Sequence, residues 1–122
     1  MNGNRLVVDT NIMINLAEGK RGINEHLDGN KIYVSIITEI ELLGWHKITE
    51  AQKNFFSGLL KECRLIDLMP EIKNIAIDIK QRHKVKLPDA IIAATALHLD
   101  LPLLSYDSGL ERIKNLNLLL LS

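Results

Sequence analysis

Short, nearly unbroken apolar runs alternate along this chain with longer stretches in which apolar residues recur every three or four positions. The first pattern predicts buried strands and the second predicts amphipathic helices. Arg5 to Val8 reads as a strand. Ile12 to Ala17 begins a short helix, broken at Gly19 and Gly22, and Ile23 to Leu27 forms a second, ended by the turn signal Asp28-Gly29-Asn30. The β-branched and aromatic run 31–35 is a strand, and 36–46 and 49–61 are helical. Residues 63–68 form a third strand, and Pro70 then Glu71 open a helix with Ile72, Ile75, Ala76 and Ile79 on one stripe. Residues 89–100 are apolar on most sides, which predicts a central, buried helix. A strand over 102–106, a helical turn over 108–114 and a last strand within 116–122 complete the pattern. Strands that alternate with helices predict a parallel sheet covered on both faces, with ligands bound beyond the carboxyl ends of its strands.

The 122 residues fit a single domain spanning 1–122, long enough for a core without staples. Lys plus Arg and Asp plus Glu both number 15, so bulk positive charge does not coat nucleic acid here, although a local basic patch is compatible. Aromatics make up 4%, which argues against an aromatic platform for base stacking. A neutral balance also favours self-association. Cys63 is the sole cysteine and forms no internal disulfide, which fits a reducing compartment. The opening Met1 to Leu6 lacks the apolar core of a signal peptide, and the longest apolar run, 118–121, is too short to span a bilayer. These features point to a cytoplasmic protein with no membrane segment.

Four acids carry the candidate chemistry. Asp9 ends the first strand and Asp107 follows the strand at 102–106. If those strands are parallel neighbours, both acids reach one edge of the sheet. Asp89 stands at the opening of the buried helix, with Ile92, Ala93 and Ala96 continuing its face. Glu41 lies in a segment whose buried stripe is Ile36, Ile37, Ile40 and Leu43. Each acid has a plainer explanation. Asp9, Thr10 or Asp89 serves as a helix cap or meets a helix dipole, and Thr38 with Glu41 spells a capping box. Glu39 and Glu41 flank the stripe at similar angles, so periodicity leaves both open. As a set, clustered carboxylates are costly to bury unless a cation neutralises them, and an all-oxygen set selects Mg²⁺ or Mn²⁺ over zinc.

The segments "VVDTNIMI", "VSIITEIELLG" and "LPDAIIAATALHLDLPLLSYD", in that order, resemble the motifs of PIN-domain ribonucleases, and most closely those of VapC-type toxins from toxin–antitoxin pairs. The resemblance covers nearly the whole chain. It implies a three-layer α/β/α sandwich around a central parallel sheet, and Mg²⁺- or Mn²⁺-dependent hydrolysis of RNA that leaves a 5′-phosphate. It assigns metal and catalytic roles to Asp9, Glu41, Asp89 and Asp107, and selects Glu41 over Glu39 because the family pattern Thr-x-x-Glu-Leu falls on Thr38, Glu41 and Leu42. Supporting roles fall to Thr10, Asn11, Thr38 and Ser105, the last standing where a threonine is common. Leu110 stands after the final acid, where an aromatic is frequent, a departure that touches local packing only. The implied partners are an RNA substrate, an antitoxin that blocks the acids, and a second copy in a homodimer.

Arg82, Lys84 and Lys86 precede Asp89 and read either as an RNA-attracting ridge or as a solvated helix end. His83 sits in that run as a surface residue, and His26, His46 and His98 lack metal-ligand spacing. Trp45 reads as packing, and Cys63 as a small buried hydrophobe. The segments Ile12–Leu16 and Leu42–Trp45 flank site acids and are candidates for an apolar groove that holds an antitoxin. Two rivals stand beside the nuclease. A non-catalytic RNA- or protein-binding module on the same fold has no need of four intact acids. A phospho-acceptor receiver domain needs an acidic pair near the first strand and a lysine on the last, and neither is present.

Overall fold

Strand β1 (Arg5–Val8) points Leu6 and Val8 to one side and Val7 to the other, and all three are buried. That two-sided burial is why the strand carries no polar alternation. In the computed structural model, which describes residues 4–122, β1 lies at the centre of a five-stranded parallel sheet of order β3-β2-β1-β4-β5. Residues 1–3, part of the opening read above as lacking a leader, lie outside the described residues. The other strands are β2 (Lys31–Ser35), β3 (Arg64–Ile66), β4 (Leu103–Ser105) and β5 (Leu118–Leu120). Register places Val7 beside Leu103 and Val8 beside Leu104, so β1 and β4 end level with one another.

Helices α1 (Thr10–Ala17), α2 (Ile23–Leu27), α3 (Ile36–Leu43) and α4 (Glu50–Lys61) connect the first three strands. Helices α5 (Pro70–Arg82) and α6 (Leu87–Leu99) form the long crossover from β3 to β4 and pack closely on each other. Two cores result, one on each face of the sheet. Val7 and Leu103 meet Ile72, Ala76 and Ile79 of α5 and the Ala90–Ala94 run of α6. Leu6, Val8, Val34 and Leu104 meet Ile12, Met13, Leu42, Phe56 and Leu60. The sandwich and the buried α6 agree with the sequence pattern. No described helix is long and apolar enough to cross a membrane.

Boundaries differ where tertiary contacts end an element early. The third strand keeps only Arg64–Ile66 of 63–68, since it pairs on one side alone. The helix expected over 36–46 stops at Leu43, where the amide of Gly44 bonds the carbonyl of Ile40. The turn over 108–114 is a 3₁₀ helix, Ser108–Arg112. Ile40, expected on the buried stripe of α3, is 58% exposed, while Leu42 is buried in its place. The reason is that α3 packs against α1, α4 and α6 at once, and its inner face is set by those neighbours rather than by one stripe.

Candidate functional site

Strand order reverses between β1 and β4, because the sheet grows outward from β1 to β3 and then resumes on the other side of β1. Such switch points open a crevice at the carboxyl ends of the strands. Asp9 and Asp107 follow the two strands that flank it.

Asp9 is 4% exposed and fills the capping role that the sequence allowed. It is the N-cap of α1, its Oδ1 accepting the Thr10 amide at 2.8 Å. It is also a buried acid. Its Oδ2 accepts the Ser105 hydroxyl at 2.6 Å and the Asn11 amide nitrogen at 3.4 Å. Burial pushes its pKa from 3.8 up to about 6, and the charges of Asp89 and Asp107 push the same way. The hydrogen bonds from Ser105 and Thr10 oppose the rise without cancelling it.

Ser105 ties two acids together. Its hydroxyl hydrogen goes to Asp9, and its oxygen accepts the Asp107 amide at 2.9 Å. Asp107 caps the 3₁₀ helix, its Oδ1 accepting the Gly109 amide at 2.8 Å. Gly109 gives that oxygen room, since a Cβ would meet it at 3.0 Å, a tight contact.

Asp89 lies in the first turn of α6 but does not cap it, because Lys86 occupies the N-cap position and no side chain bonds the helix end. Asp89 is half-buried, and its pKa is raised by burial, then by Asp107 and Glu41, against a smaller lowering by Lys86. Glu41 is likewise no capping-box member, since Ser35 caps α3. Instead Glu41 Oε1 accepts the Thr10 hydroxyl at 2.7 Å, and the buried Thr38 hydroxyl lies 2.9 Å from that of Thr10. Thr10 must donate to the carboxylate, so Thr38 donates to Thr10. Glu39 lines a different groove, with Leu43, Leu60, Cys63 and Leu65. Of the two glutamates left open on the helical wheel, Glu41 is the one that meets Thr10 and acts on Asp89.

The four acids therefore form one electrostatic group, Asp9 with Asp89 and Asp107, and Asp89 with Asp107 and Glu41. Among the described residues the only ion pair is Arg82 with Asp78, so no side-chain cation is paired with the group, and Lys86 offsets only part of the rise at Asp89. All its donors are carboxylate and hydroxyl oxygens, the chemistry of Mg²⁺ and Mn²⁺. Among the described residues no three His, Cys, Asp or Glu side chains close into a ready cage. The acids make an open edge, which suits an ion that keeps several waters.

Of the basic residues singled out, Lys86 is close enough to act on Asp89. Arg82 is spent on Asp78 at 2.9 Å, and Lys84 is exposed. Trp45, read as packing, is 47% exposed. It lines a groove of about 420 Å³ with Ile14, Ala17, Leu42 and Phe56, and Thr10 and Glu41 form part of the same wall. Ile12 and Met13, two of the residues offered for such a groove, are consumed by the core. The pattern gave no hint of Asn15, which donates to the Asn11 carbonyl at 2.7 Å, or of Tyr106, whose amide donates to Asn11 Oδ1 at 3.4 Å. A four-residue spacing between Asn11 and Asn15 was the only available signal for the first.

The sequence model of the PIN domain matches residues 6–116. The chain belongs to the PIN domain family. Members of this family are, in general, nucleases. Among solved structures, a toxin–antitoxin complex from Klebsiella pneumoniae is 30% identical, covers 93% of this chain and 95% of its own, and superposes with a TM-score of 0.77. VapBC2 from Rickettsia felis, bound to a DNA fragment from its promoter, is 20% identical with a TM-score of 0.83, covering 97% of this chain and 99% of its own. VapBC-1 from nontypeable Haemophilus influenzae is 22% identical with a TM-score of 0.80, covering 95% and 97%. The last two show that the PIN fold is shared. No curated protein matches the sequence.

Proposed function

We propose that this PIN domain is a ribonuclease that hydrolyses RNA phosphodiester bonds with Mg²⁺ or Mn²⁺, and that it is the toxin of a toxin–antitoxin pair. The observation that carries the reading is Asp9, a buried carboxylate raised to about 6 by its surroundings and by two further acids, with no cation paired to it. Such a group costs stability unless an ion is bound.

Asp9, Asp89, Asp107 and Glu41 would hold the ion. When bound, it supplies a nucleophile near neutral pH and offsets charge building on the phosphate. Ser105 fixes the rotamers of Asp9 and the backbone of Asp107 with one hydroxyl. Thr10 holds Glu41 on the far wall, and Thr38 holds Thr10. Glu41 is exposed, so it remains free to orient water at the open edge. Lys86, beside Asp89, offers a charge to the RNA backbone.

Cleavage of a labelled RNA with Mg²⁺ or Mn²⁺, with chelator, and with Asp9→Asn and Asp107→Asn tests the reading. The expected result is metal-dependent cleavage lost in both variants, with helical circular dichroism retained. Equal cleavage by Asp9→Asn refutes Asp9 as a ligand. RNA binding without any cleavage favours the non-catalytic module.

The groove beside Glu41 supports the antitoxin. A partner segment that lays apolar side chains on Ile14, Trp45 and Phe56 and carries an Arg or Lys toward Glu41 would fill groove and acid edge together. Trp45→Ala should weaken antitoxin binding at unchanged melting temperature, and unchanged affinity excludes the groove. For the homodimer, we assign the contact to the exposed Leu68, Ile77 and Leu87 around an apolar groove of about 300 Å³. Sedimentation should show a dimer that Ile77→Asp dissociates, and a monomeric parent at tens of micromolar refutes it. An RNA substrate and the lack of a spanning helix among the described residues suit work in the cytoplasm.

A further inference from the structure

Lys20 lies outside every motif, yet its Nζ sits 4.0 Å from the centroid of the Tyr106 ring. Resting on the nuclease reading, we propose that Lys20 is a substrate-binding residue that contacts an RNA phosphate flanking the bond addressed by the acids, and that Tyr106 positions it.

The turn after α1 aims the lysine. The Lys20 amide bonds the Asn15 carbonyl at 3.0 Å and the Gly19 amide bonds that of Leu16 at 3.1 Å. Gly19 and Gly22 adopt φ of +80° and +93°, a left-handed conformation that lets the chain double back on itself. Asn15 bonds Asn11, and Asn11 bonds both Asp9 and the Tyr106 amide. Tyr106 stands between Ser105 and Asp107, the residues that organise two of the acids. Lys20 is thus fixed to the acid edge through its own backbone and through the ring it covers.

A structural role explains this poorly. The attraction of a partly buried ring for an ammonium is of the same order as the rotamer freedom a lysine gives up to stay there, so the contact adds little to stability. A cation already held in place loses less on binding a phosphate. Among the described residues Lys20 is in no ion pair, so its charge is available. Its position also complements Lys86. Tyr106 packs with the α1 and α4 side of the sheet, and α6 with the other. A strand crossing the acids would meet Lys86 on one side and Lys20 on the other.

The test measures cleavage kinetics and, by anisotropy, binding of a labelled RNA oligonucleotide for the parent, Lys20→Ala, Lys20→Arg, Tyr106→Phe and Tyr106→Leu. Lys20→Ala should raise KM and Kd about tenfold with kcat within about twofold, and the salt slope of log Kd should fall by about 0.7, one single-strand phosphate contact. Lys20→Arg and Tyr106→Phe, which keep cation and ring, should behave as the parent, and Tyr106→Leu should resemble Lys20→Ala. Parental KM, Kd and salt slope in Lys20→Ala, with cleavage intact, overturn the role of Lys20 and leave the nuclease standing. No cleavage, but binding that depends on Lys20 with the predicted slope, refutes the nuclease and keeps the lysine. A parent that binds no RNA overturns the lysine's role outright.

Discussion

Replacing Asp9 by Asn should stabilise the metal-free protein at neutral pH and destabilise it in acid. The carboxyl is raised from 3.8 to about 6, so its ionisation in the folded chain withholds about 3 kcal/mol of stability. The sign follows from proton counts. Between about pH 4 and pH 6 the folded protein holds a proton on Asp9 that the unfolded chain has released, so stability falls as pH rises through that window. Above it the whole penalty is present, and below it none is. Asn removes the penalty at every pH.

Asn also costs something. Its Oδ1 can still accept the Thr10 amide, which keeps the cap. Its Nδ2 then faces the Ser105 hydroxyl, which already accepts the Asp107 amide, and the Ser105 hydrogen loses its buried acceptor. That loss is about 1 kcal/mol, at the low end for a buried donor because the hydroxyl can rotate. The balance is a gain of about 2 kcal/mol at pH 8, a rise of roughly 5–10 °C for a domain of this length, and a loss of about 1 kcal/mol near pH 4. Melting curves of parent and variant in chelator at both pH values give the answer. A variant less stable at both, or a difference that does not change with pH, refutes the claim that Asp9 is ionised against its surroundings.

Other outcomes follow from the same geometry. Asp89→Asn should raise the melting temperature of the metal-free protein, because Asp89 caps nothing and is repelled by Asp107 and Glu41. Mg²⁺ should raise the melting temperature of the parent more than that of this variant, and no rise with Mg²⁺ together with a less stable variant refutes the shared ion. Thr10→Val should release Glu41 and leave the buried Thr38 hydroxyl without its partner, costing about 1–3 kcal/mol, and it should lower kcat more than it raises KM for RNA; an unchanged kcat removes Thr10 from the site. Burial pushes the Cys63 thiol up to about 11, with Glu62 adding to it, so a thiol reagent at about pH 8 should react far more slowly than with a free cysteine.

The sheet was legible because parallel strands buried on both faces leave continuous apolar runs, as in Arg5–Val8 and Leu103–Ser105. Helix α6 was legible for the same reason, with seven consecutive buried residues from Ala90 to Ala96. What periodicity misjudged was α3. A stripe calculation assumes one partner surface, and α3 has three helical neighbours, so Ile40 is left in solvent while Leu42 is buried. The short edge strand β3 failed on length for a related reason, since a strand paired on one side ends where its partner does, at Ser35 against Ile66.

The acids were half legible, and the reason lies in what a cap and a ligand share. Both want a short acidic side chain where a strand gives way to a helix, and the capping by Asp9 and Asp107 is the half that local pattern can carry. Local sequence carries only the cap. What separates a costly acid from an ordinary cap is first its burial and then the company it keeps across the sheet, 80 and 98 residues away in Asp89 and Asp107, and no window of sequence contains either. Glu41 reverses the case. Its local pattern spelled a capping box that the structure does not use, and its actual partner, Thr10, is 31 residues away on another helix. The hydroxyls of Thr10, Thr38 and Ser105 are invisible to pattern for the same reason: small polar residues in buried runs read as interruptions until the acids they serve are in place. Burial without a paired cation, seen only after folding, is what sets Asp9 apart from an ordinary helix cap.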